Sequence, residues 1–557
     1  MESNSRKIQI LKEIFGYDSF RKGQEEIVDQ ILNGRDVLAI MPTGAGKSLC
    51  YQVPALLMSG ITIVVSPLIS LMIDQVKALN EAGVHAAYIN SALTERQITK
   101  ALELAAAGRY KMIYVAPERL LTPRFLDFAC HTELSMVTID EAHCISQWGH
   151  DFRPAYRQLK EAIDQLKSRP NILALTATAT PAVQEDIGQQ LAIEKDNFII
   201  TSFARPNISF RVVHPEKSTR RYIREYLKAH AQEAGIIYVN TRRGVDELTT
   251  YLLEHHFAVA GYHAGMDAAT RARVQDDFQF DRVSTIVATS AFGMGIDKSN
   301  VRFVIHATAA QNIESYYQEA GRAGRDGLPS EAVLIYHPND LRQYRWFIDQ
   351  STADDDYRDL QYQKLQAVAN YASTPECLQQ YIVRYFGQDC SPCGHCSNCT
   401  DQRNVQDITA ESKQVLAMIQ ELHGRFGKGV VAQALTGSHS QRMNEIGAPQ
   451  LPSFGALRNF SKQEAASLID YLVAVGILQT VGSQYPVIQI AQDGWAVLKG
   501  ERQVTRRQEE RPARLRTQLT ESPDTAALFE LLRQKRRELA DEQGVPPFMV
   551  FSDKTLH

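Results

Sequence analysis

A glycine-rich loop near the N-terminus carries the first group of residues that could do chemistry. It reads Pro-Thr-Gly-Ala-Gly-Lys-Ser over residues 42–48 and lies between an apolar run at Val37–Ile40 and a stretch of helical character. In a phosphate-binding loop of this kind, backbone N–H groups surround a triphosphate and the helix N-terminus favours its negative charge. The candidate nucleotide-binding residues are therefore Thr43, Gly44, Ala45, Gly46, Lys47 and Ser48.

Two side chains of this loop have distinct predicted roles. The Lys47 ammonium should reach the β- and γ-phosphates, and the Ser48 hydroxyl should bind magnesium. The full phosphate-loop pattern has a glycine where Met41 stands, so only the shorter form is met. The alternative interpretation is an ordinary glycine-rich turn.

An acidic pair follows a second apolar run. Residues 136–143 read Met-Val-Thr-Ile-Asp-Glu-Ala-His, so a strand would deliver Asp140 to the carboxyl edge of a sheet. A phosphate-loop sheet holds its magnesium-binding acid at this edge. Glu141, one residue further on, is positioned to polarise an attacking water. The alternative is a helix N-terminus with acidic residues near its dipole.

The Asp-Glu-Ala-His box and the phosphate-binding loop together resemble superfamily 2 helicases. Residues 15–24, Phe-Gly-Tyr-Asp-Ser-Phe-Arg-Lys-Gly-Gln, resemble the adenine-recognition motif of the RecQ family. The resemblance implies that Gln24 reads the adenine edge while Tyr17 and Arg21 enclose its faces. An amide can both donate and accept, as adenine requires, and guanidinium groups stack on planar rings. Without the resemblance, this segment could be the entry turn of a helix.

Residues 318–327, Gln-Glu-Ala-Gly-Arg-Ala-Gly-Arg-Asp-Gly, resemble helicase motif VI. Arg322 and Arg325 are three residues apart, so we expect both on one face of a helix. A guanidinium that faces the γ-phosphate neutralises charge in the transition state, an effect of roughly 10³–10⁵ in rate. The resemblance makes Arg325 the better candidate for this arginine finger and Arg322 its partner. The alternative is a solvated basic face.

Three further segments resemble helicase motifs III, IV and V, at residues 176–180, 238–242 and 289–297. Each is weak alone, and their order along the chain is the stronger signal. The resemblance implies two lobes that close on ATP and reopen after hydrolysis, so that the protein moves 3′ to 5′ along a DNA strand.

An aromatic segment follows the acidic box directly, at residues 144–156. Aromatic rings stack on unpaired bases at roughly 1–3 kcal/mol each. The segment resembles the aromatic-rich loop with which RecQ proteins sense single-stranded DNA, which makes Trp148, Phe152 and Arg153 candidate DNA contacts. The alternative is a local hydrophobic cluster.

Four of the eight cysteines lie between residues 390 and 399. Three of them form a C-x₂-C-x₂-C run, and a further cysteine lies upstream of the four. Four thiolates satisfy tetrahedral zinc and leave no open position, which predicts a structural site. Cys390 and His395 are rival ligands, and an iron–sulfur cluster is the rival metal. The RecQ resemblance favours one zinc ion bound by Cys377, Cys393, Cys396 and Cys399.

Two series of short, β-branched apolar runs surround these motifs. Such runs are typical of parallel strands buried on both faces, and the stretches between them, for example Ile69–Asn80, have helical character. The first series is Val37–Ile40, Ile61–Ser66, Met112–Ala116, Met136–Ile139 and Ile172–Thr176, and the second is Ile236–Val239, Ile286–Ala288, Phe303–Ile305 and Val333–Tyr336. We predict an α/β protein, and the resemblance implies two RecA-like parallel-sheet lobes.

Five segments follow from this reading. Helices followed by a hairpin from Gly476–Thr480 and Val487–Ile490 resemble the RecQ winged helix, whose hairpin tip would carry Tyr485 near the strand junction. The alternative for Tyr485 is a half-buried surface aromatic. The predicted segments are an ATP-binding lobe at 1–204, a second lobe at 205–340, a helical zinc module at 341–403, a winged helix at 404–500 and a terminal segment at 501–557.

The terminal segment combines an arginine-rich stretch at 501–517 with one amphipathic helix at Thr525–Leu539. We interpret the first as a linker. Residues 528–553 resemble the start of an HRDC domain, which needs roughly eighty residues, more than the chain offers here. We therefore expect residues 501–557 to be poorly ordered and not to bind DNA as a full HRDC domain would.

Composition limits the partners. The net charge is −4, so DNA binding must come from local basic patches. No run of 18 apolar residues or secretory signal is evident, so we expect no membrane contact and a cytoplasmic protein, nucleoid-associated in a bacterium.

The predicted function is an ATP-dependent, 3′-to-5′ DNA helicase of RecQ type that acts in recombination and repair. Its expected cofactors are magnesium, with ATP, and zinc. Its expected partners are single-stranded and duplex or branched DNA and single-strand-binding protein, and we expect a monomer. The rivals are a DEAH-type RNA helicase and a DNA-binding protein with an inactive motor. The second rival would require loss of Lys47, Asp140, Glu141 or Arg325, and all four are present.

Overall fold

The chain folds into two parallel sheets followed by helical modules. The computed structural model describes residues 2–215, 218–293, 298–337, 339–351, 354–482, 486–507 and 523–556. Within these ranges, no helix combines the length and the apolar character that crossing a membrane requires.

The first lobe contains a seven-stranded sheet whose paired strands all run parallel, in the order β3-β4-β2-β5-β6-β1-β7. Every residue of β1 and β2 is buried, because helices cover both faces of the sheet. The strands are β1 (Val37–Ile40), β2 (Ile61–Val65), β3 (Ala86–Ile89), β4 (Met112–Val115), β5 (Leu134–Ile139), β6 (Asn171–Thr176) and β7 (Phe198–Ile200).

Two helices precede the first strand of this lobe, and the others lie between its strands. They are α1 (Glu2–Glu13), α2 (Gln24–Leu32), α3 (Leu49–Leu57), α4 (Ile69–Glu81), α5 (Glu95–Ala106), α6 (Pro123–His131), α7 (Pro154–Arg157), α8 (Leu159–Asp164) and α9 (Pro181–Leu191). Short 3₁₀ turns lie at Pro117–Arg119, Ala142–Ile145 and Lys195–Asn197.

The second lobe repeats the plan with six parallel strands in the order β10-β11-β9-β12-β13-β8. Its strands are β8 (Ile208–Val213), β9 (Ala234–Tyr238), β10 (Val259–Tyr262), β11 (Thr285–Ala288), β12 (Val301–His306) and β13 (Ser330–Ile335). Its helices are α10 (Thr219–Ala229), α11 (Arg242–Glu254), α12 (Ala268–Gln279) and α13 (Ile313–Ala320).

The predicted strands all form, and the two-sheet prediction is confirmed. Four strands of the two parallel sheets lack a predicted counterpart: β3, β7, β8 and β10. Three of them are not continuous branched-chain runs, and β7 is only three residues long. For example, β10 contains Gly261, and β8 lies in the stretch between the two predicted series. These strands occupy positions at or near the sheet edges, where the demand for apolar residues on both faces is weaker.

A helical module packs on the segment that joins the lobes. It consists of α14 (Asp340–Gln350), α15 (Asp355–Ser373) and α16 (Leu378–Tyr385). The ring of Phe386, just after α16, stacks on that of Phe203 with centroids 4.4 Å apart. The backbone N–H of Phe203 donates to Oε1 of Gln388 (3.1 Å), and that of Arg205 donates to Oε1 of Gln379 (3.0 Å). The lobes and this module therefore share one continuous hydrophobic core.

The winged-helix module has a core of its own. Its elements are β14 (Val405–Asp407), α17 (Thr409–Glu421), α18 (Lys428–Leu435), α19 (Gln441–Glu445), a 3₁₀ turn (Ala448–Gln450), α20 (Lys462–Ala474), β15 (Leu478–Val481), β16 (Val487–Ile490), α21 (Gln492–Lys499) and β17 (Thr505–Arg507). Strands β15 and β16 form the predicted antiparallel hairpin. Tyr485 lies outside the described residues.

The terminal segment contains the predicted helix at Thr525–Leu539 and departs from its prediction elsewhere. Strand β17 pairs antiparallel with β14, and three helices follow: α22 (Pro523–Gln543), α23 (Pro547–Val550) and α24 (Asp553–Leu556). Arg536 is fully buried, and its Nη1 donates to the carbonyl of Phe551 (3.0 Å) and to Asp553 (2.7 Å). The expectation of poor order over 501–557 is therefore wrong for these elements, because a buried cation holds the last turns together.

The Phe386 ring predicts a measurable dependence of stability on the lobe-linking contact. Phe386→Ala should lower the free energy of unfolding by about 3–5 kcal/mol, because it opens a cavity beside Phe203. Phe347→Ala, at a ring that is 53% exposed, is the matched control and should change it by less than about 0.5 kcal/mol. Urea unfolding of both variants measures this difference, and equal losses would contradict the assignment.

Candidate nucleotide cleft and nucleic-acid interface

The glycine-rich loop connects the end of β1 to α3. Gly44 and Gly46 adopt φ values of 84° and 76°, in the left-handed region that favours glycine. The Lys47 ammonium folds back toward the carbonyl of Met41, with Nζ 3.5 Å from the oxygen. This contact is long, so the ammonium remains available for a stronger, charged acceptor.

The carboxylate of Asp140 lies at the end of β5, as predicted. Its Oδ1 accepts a hydrogen bond from the backbone N–H of Glu141 (3.0 Å). Burial raises the pKa of Asp140 to about 7, the charge of Glu141 adds to the rise, and the Lys47 ammonium opposes it. The lysine and the acid therefore lie close enough to interact. A divalent cation would return this buried acid to its charged form, so the residues fit a magnesium site.

The acidic box is joined to motif III through a neutral histidine. The fully buried His143 contacts Oγ1 of Thr176 through Nδ1 (2.9 Å), and the same nitrogen lies 3.3 Å from Oε2 of Glu141. Burial lowers the pKa of His143 well below its usual range. Glu141 itself has φ 49°, an uncommon conformation for a residue with a side chain. Such strain is often found at functional sites.

The predicted adenine-reading amide contacts the phosphate-binding loop. Gln24 is 1% exposed, and its Nε2 donates to the carbonyls of Ala45 and Gly46, both at 2.9 Å. Its Oε1 accepts from the backbone N–H of Arg21 (2.8 Å), and Nη1 of Arg21 donates to the carbonyl of Gly44 (2.6 Å). The ring of Tyr17 is half exposed. The sequence offered no signal for the bonds between Gln24 and the loop.

The second lobe reaches the phosphate-binding loop across the cleft. A Cβ atom built at Gly44 would lie 3.2 Å from Cγ of Arg325, and one built at Gly321 would lie 3.4 Å from Cβ of Thr43. The turn that contains Arg325 therefore packs directly against the loop that precedes Lys47. Glycine is favoured at position 44 by its positive φ and by this close contact. At Gly321, a Cβ would approach the carbonyl oxygen of Tyr317 most closely, at 2.9 Å.

The predicted helical placement of the two motif VI arginines is wrong. Helix α13 ends at Ala320, and Arg322 and Arg325 lie on the turns that follow, where Gly324 has φ 60°. The two residues have different neighbours. Arg325 faces the phosphate-binding loop, whereas Nη2 of the buried Arg322 lies 3.3 Å from a Cβ built at Gly293, within the second lobe.

Arg205 is a cleft residue that the sequence reasoning missed. It is buried, and its Nη1 donates to the carbonyls of Thr43 (3.0 Å) and Gly321 (3.1 Å). Its Nη2 donates to the carbonyl of Ala323 (3.1 Å). One guanidinium thus joins the phosphate-binding loop to the motif VI turn. Its only sequence signal was its position at the predicted lobe boundary.

The aromatic loop divides into exposed and buried members. Trp148 is 37% exposed and Phe152 is half-buried, whereas Tyr156 is fully buried and donates its hydroxyl to the carbonyl of Asp140 (3.0 Å). Arg153 bonds Asp151 through Nε (3.2 Å) and Nη2 (3.0 Å), and the carbonyl of Pro67 through Nη1 (3.0 Å). Tyr156 therefore belongs to the local core, and Trp148 offers the most accessible ring of the loop.

The four predicted thiols form one cluster. Their sulfur atoms all lie within 4.8 Å of one another, and those of Cys377 and Cys396 are 3.9 Å apart. This spacing fits tetrahedral thiolate coordination of zinc, whose Zn–S bonds are about 2.3 Å. Cys390 and His395 are not part of this cluster.

The described part of motif V ends at Gly293, and residues 294–297 lie outside the described ranges.

Family models match the chain in five consecutive segments. The DEAD/DEAH box helicase model matches residues 21–187, and the helicase conserved C-terminal domain matches residues 218–327. The RecQ zinc-binding model matches residues 338–400, the RQC domain residues 402–514 and the HRDC domain residues 525–557.

Similar proteins match over nearly the whole length. The protein from Bacillus subtilis (strain 168) named ATP-dependent DNA helicase RecQ is 45% identical over 553 residues, which cover 99% of this chain and 92% of that protein. The protein of the same name from Haemophilus influenzae is 40% identical over 560 residues, with 99% and 89% covered.

Among solved structures, the DEAD-box helicase Mss116 bound to ssRNA and UDP-BeF aligns with a TM-score of 0.53 at 18% identity, over 69% of this chain and 90% of that chain. This likeness bears on the fold alone and agrees with two RecA-like lobes. The zinc-binding match and the sulfur cluster agree on a zinc ion. From the family-model matches and the near full-length identity to two bacterial relatives, the chain belongs to the RecQ family of helicases.

Proposed function

We propose that this protein is an ATP-dependent DNA helicase that moves 3′ to 5′ and unwinds duplex or branched DNA in recombination and repair. The observation that carries the proposal is the contact between the phosphate-binding loop of the first lobe and the Arg325 turn of the second. A nucleotide held by the first lobe would meet a cation from the second, so its hydrolysis would change how the lobes pack. The names of the two bacterial relatives support the choice of DNA.

The hydrolytic roles follow from charge and position. In this proposal Lys47 binds the β- and γ-phosphates, and Ser48 and Asp140 would hold magnesium, which neutralises phosphate charge. Glu141 orients and polarises the attacking water, with His143 and Thr176 holding the box in place. Arg325 stabilises the charge that develops on the γ-phosphate, and Arg322 supports it from within the second lobe.

The adenine site rests on Gln24, Tyr17 and Arg21. Gln24 donates hydrogen bonds to two carbonyls of the phosphate-binding loop. Adenine binding would replace these bonds with bonds to the base, and the loop would then be free to change its conformation. Loop residues Thr43, Gly44, Ala45 and Gly46 would line the phosphates. The site would thus couple base recognition to phosphate binding.

Binding to DNA would use the aromatic loop and the winged helix. Trp148 is the proposed stacking residue, Phe152 and Arg153 are supporting contacts, and Tyr485 is a proposed wedge at the strand junction. Arg153 would have to exchange its bonds to Asp151 for a phosphate. We further propose a monomeric motor, associated with the nucleoid in a bacterium, that meets single-strand-binding protein on the strands it releases.

The zinc ion would be structural and bound by Cys377, Cys393, Cys396 and Cys399. Around this cluster, Ser209 donates to the carbonyl of His395 (2.8 Å) and the backbone N–H of Ser397 donates to the carbonyl of Phe210 (2.9 Å). The metal would therefore hold the cysteine loop against β8 of the second lobe.

The motor assignment predicts a defined response to nucleic acid. ATP hydrolysis by the wild-type protein should rise with single-stranded DNA more than with RNA of the same sequence. Lys47→Ala should lower the stimulated rate by about a hundredfold or more and abolish unwinding of a 3′-tailed duplex, because the phosphates lose their main cation. Lys167→Ala, at an exposed lysine outside the motifs, is the control. Stronger stimulation by RNA, or full activity of Lys47→Ala, would refute the assignment.

The DNA-sensing role of Trp148 can be tested separately. Trp148→Ala should leave basal ATP hydrolysis unchanged but raise the DNA concentration for half-maximal stimulation by about tenfold, since one stacking contact is lost. Trp346→Ala removes a ring that is 58% exposed on α14 and should have little effect. Unchanged stimulation of the Trp148 variant, measured by steady-state hydrolysis against an oligothymidylate titration, would contradict the role.

The zinc-ligand set predicts which cysteine matters. Cys396→Ser should lose bound zinc and lower the melting temperature, because the remaining thiolates cannot complete a tetrahedral shell. Cys390→Ser, which lies outside the sulfur cluster, should retain one zinc ion per chain. Elemental analysis and thermal unfolding measure both effects. Zinc retained by Cys396→Ser, or lost from Cys390→Ser, would exclude this ligand set.

A further inference from the structure

A buried lysine outside the first lobe bonds the aromatic loop. Nζ of Lys364, on α15 of the zinc module, donates to the backbone carbonyl of Trp148 (2.7 Å). Lys364 is 5% exposed, which is rare for a lysine. Lys364 thus bonds the main chain of Trp148, the loop residue with the most accessible ring.

The same ammonium reaches the second lobe. It forms an ion pair with Oε1 of Glu314 at 3.1 Å, and the side chains of Lys364 and Glu314 are 6% and 3% exposed. Oε2 of Glu314 accepts the hydroxyl of Tyr385 (2.9 Å). A buried ion pair contributes little to stability compared with apolar residues of the same size. The role of this ion pair is therefore to position the groups that it joins.

The two partners of Lys364 lead to opposite sides of the nucleotide cleft. Glu314 lies in the first turn of α13, and this helix ends at Ala320, immediately before the Arg322 and Arg325 turns. The aromatic loop begins directly after the acidic box, where Tyr156 and His143 fasten it to Asp140 and Thr176. One ammonium therefore joins the aromatic loop to the helix that directly precedes the turn with the proposed arginine finger.

We propose that Lys364 is a positioning residue that couples DNA at the aromatic loop to the motif VI arginines. When a DNA base stacks on Trp148, the backbone carbonyl that Lys364 bonds would move. Because Lys364 is ion-paired with Glu314, α13 would move with it. The arginine turn then moves relative to the phosphate-binding loop. This inference rests on the proposed helicase function and adds a residue in the zinc module to the path between DNA and ATP.

The test compares variants of this contact in the full-length, zinc-bound protein. Lys364→Met keeps the side-chain length but removes the donor. We expect basal ATP hydrolysis within about twofold of wild type and stimulation by oligothymidylate reduced by about tenfold, a typical coupling between sites. Binding of fluorescent oligothymidylate should be nearly unchanged, because Lys364 is buried. Lys364→Arg should recover part of the stimulation, since it keeps a charged donor.

A second variant separates coupling from stability. Lys364→Met leaves the buried carboxylate of Glu314 without its cation, which can prevent folding. The double variant Glu314→Gln/Lys364→Met removes both buried charges, so it should fold even if the single variant does not. Its stimulation should remain low, because the Trp148 carbonyl still lacks its donor. Arg358→Gln, on α15 beside Asp355, is the matched loss of a cation and should behave as wild type.

Hydrogen exchange supplies a readout that a purely structural role would not move. Oligothymidylate should change amide exchange over residues 313–325 in the wild-type protein, and it should fail to do so in the double variant. Stimulation and exchange as in the wild type in both Lys364→Met and the double variant would overturn the coupling role. If the wild-type protein itself showed no stimulation by DNA, the proposed helicase function would fail instead.

Discussion

The proposed function depends on one constraint, which is that a triphosphate's charge would be neutralised by groups from both lobes at once. The first lobe offers Lys47 in its glycine-rich loop, and the second brings Arg325 against the same loop. Glycine at position 44 permits this approach, and Arg205 fastens the two backbones through three carbonyls. In the proposed function, phosphate charge would change where the lobes meet, so cleavage and release would alter the forces at their interface. This would be the physical basis for turning hydrolysis into movement.

The zinc module contacts elements on both sides of that interface. It packs Phe386 on the lobe-linking segment, bonds the backbone of Phe203 and Arg205, and holds the aromatic loop through Lys364. The module that holds the four cysteines thus contacts the lobe-linking segment and the aromatic loop, although it is far from the phosphate-binding loop in sequence. The winged helix keeps a separate core, and in the proposed function it would add a second DNA-binding unit.

The sequence predicted the parts whose signal is local. The branched-chain strands, the glycine-rich loop, the acid at the end of β5 and the C-x₂-C-x₂-C run all follow from residue type and spacing. The choice of Cys377 as the fourth cysteine came from the family resemblance. The arginine turn did not, although Gly321, Gly324 and Gly327 are poor helix formers and offered a warning. Contacts between distant residues, such as Gln24 with the Ala45 carbonyl or Arg205 with Thr43, leave no local pattern and required the fold.

The most direct test of the shared cleft is single-turnover cleavage of ATP by Arg325→Ala, with ATP affinity measured separately and Arg325→Lys for comparison. The account predicts that ATP binding changes by only a few-fold while the cleavage rate falls by roughly 10³–10⁵, with partial recovery in the lysine variant. Cleavage at the wild-type rate in Arg325→Ala would show that the second lobe supplies no charge to the reaction, and the two-lobe account would be wrong.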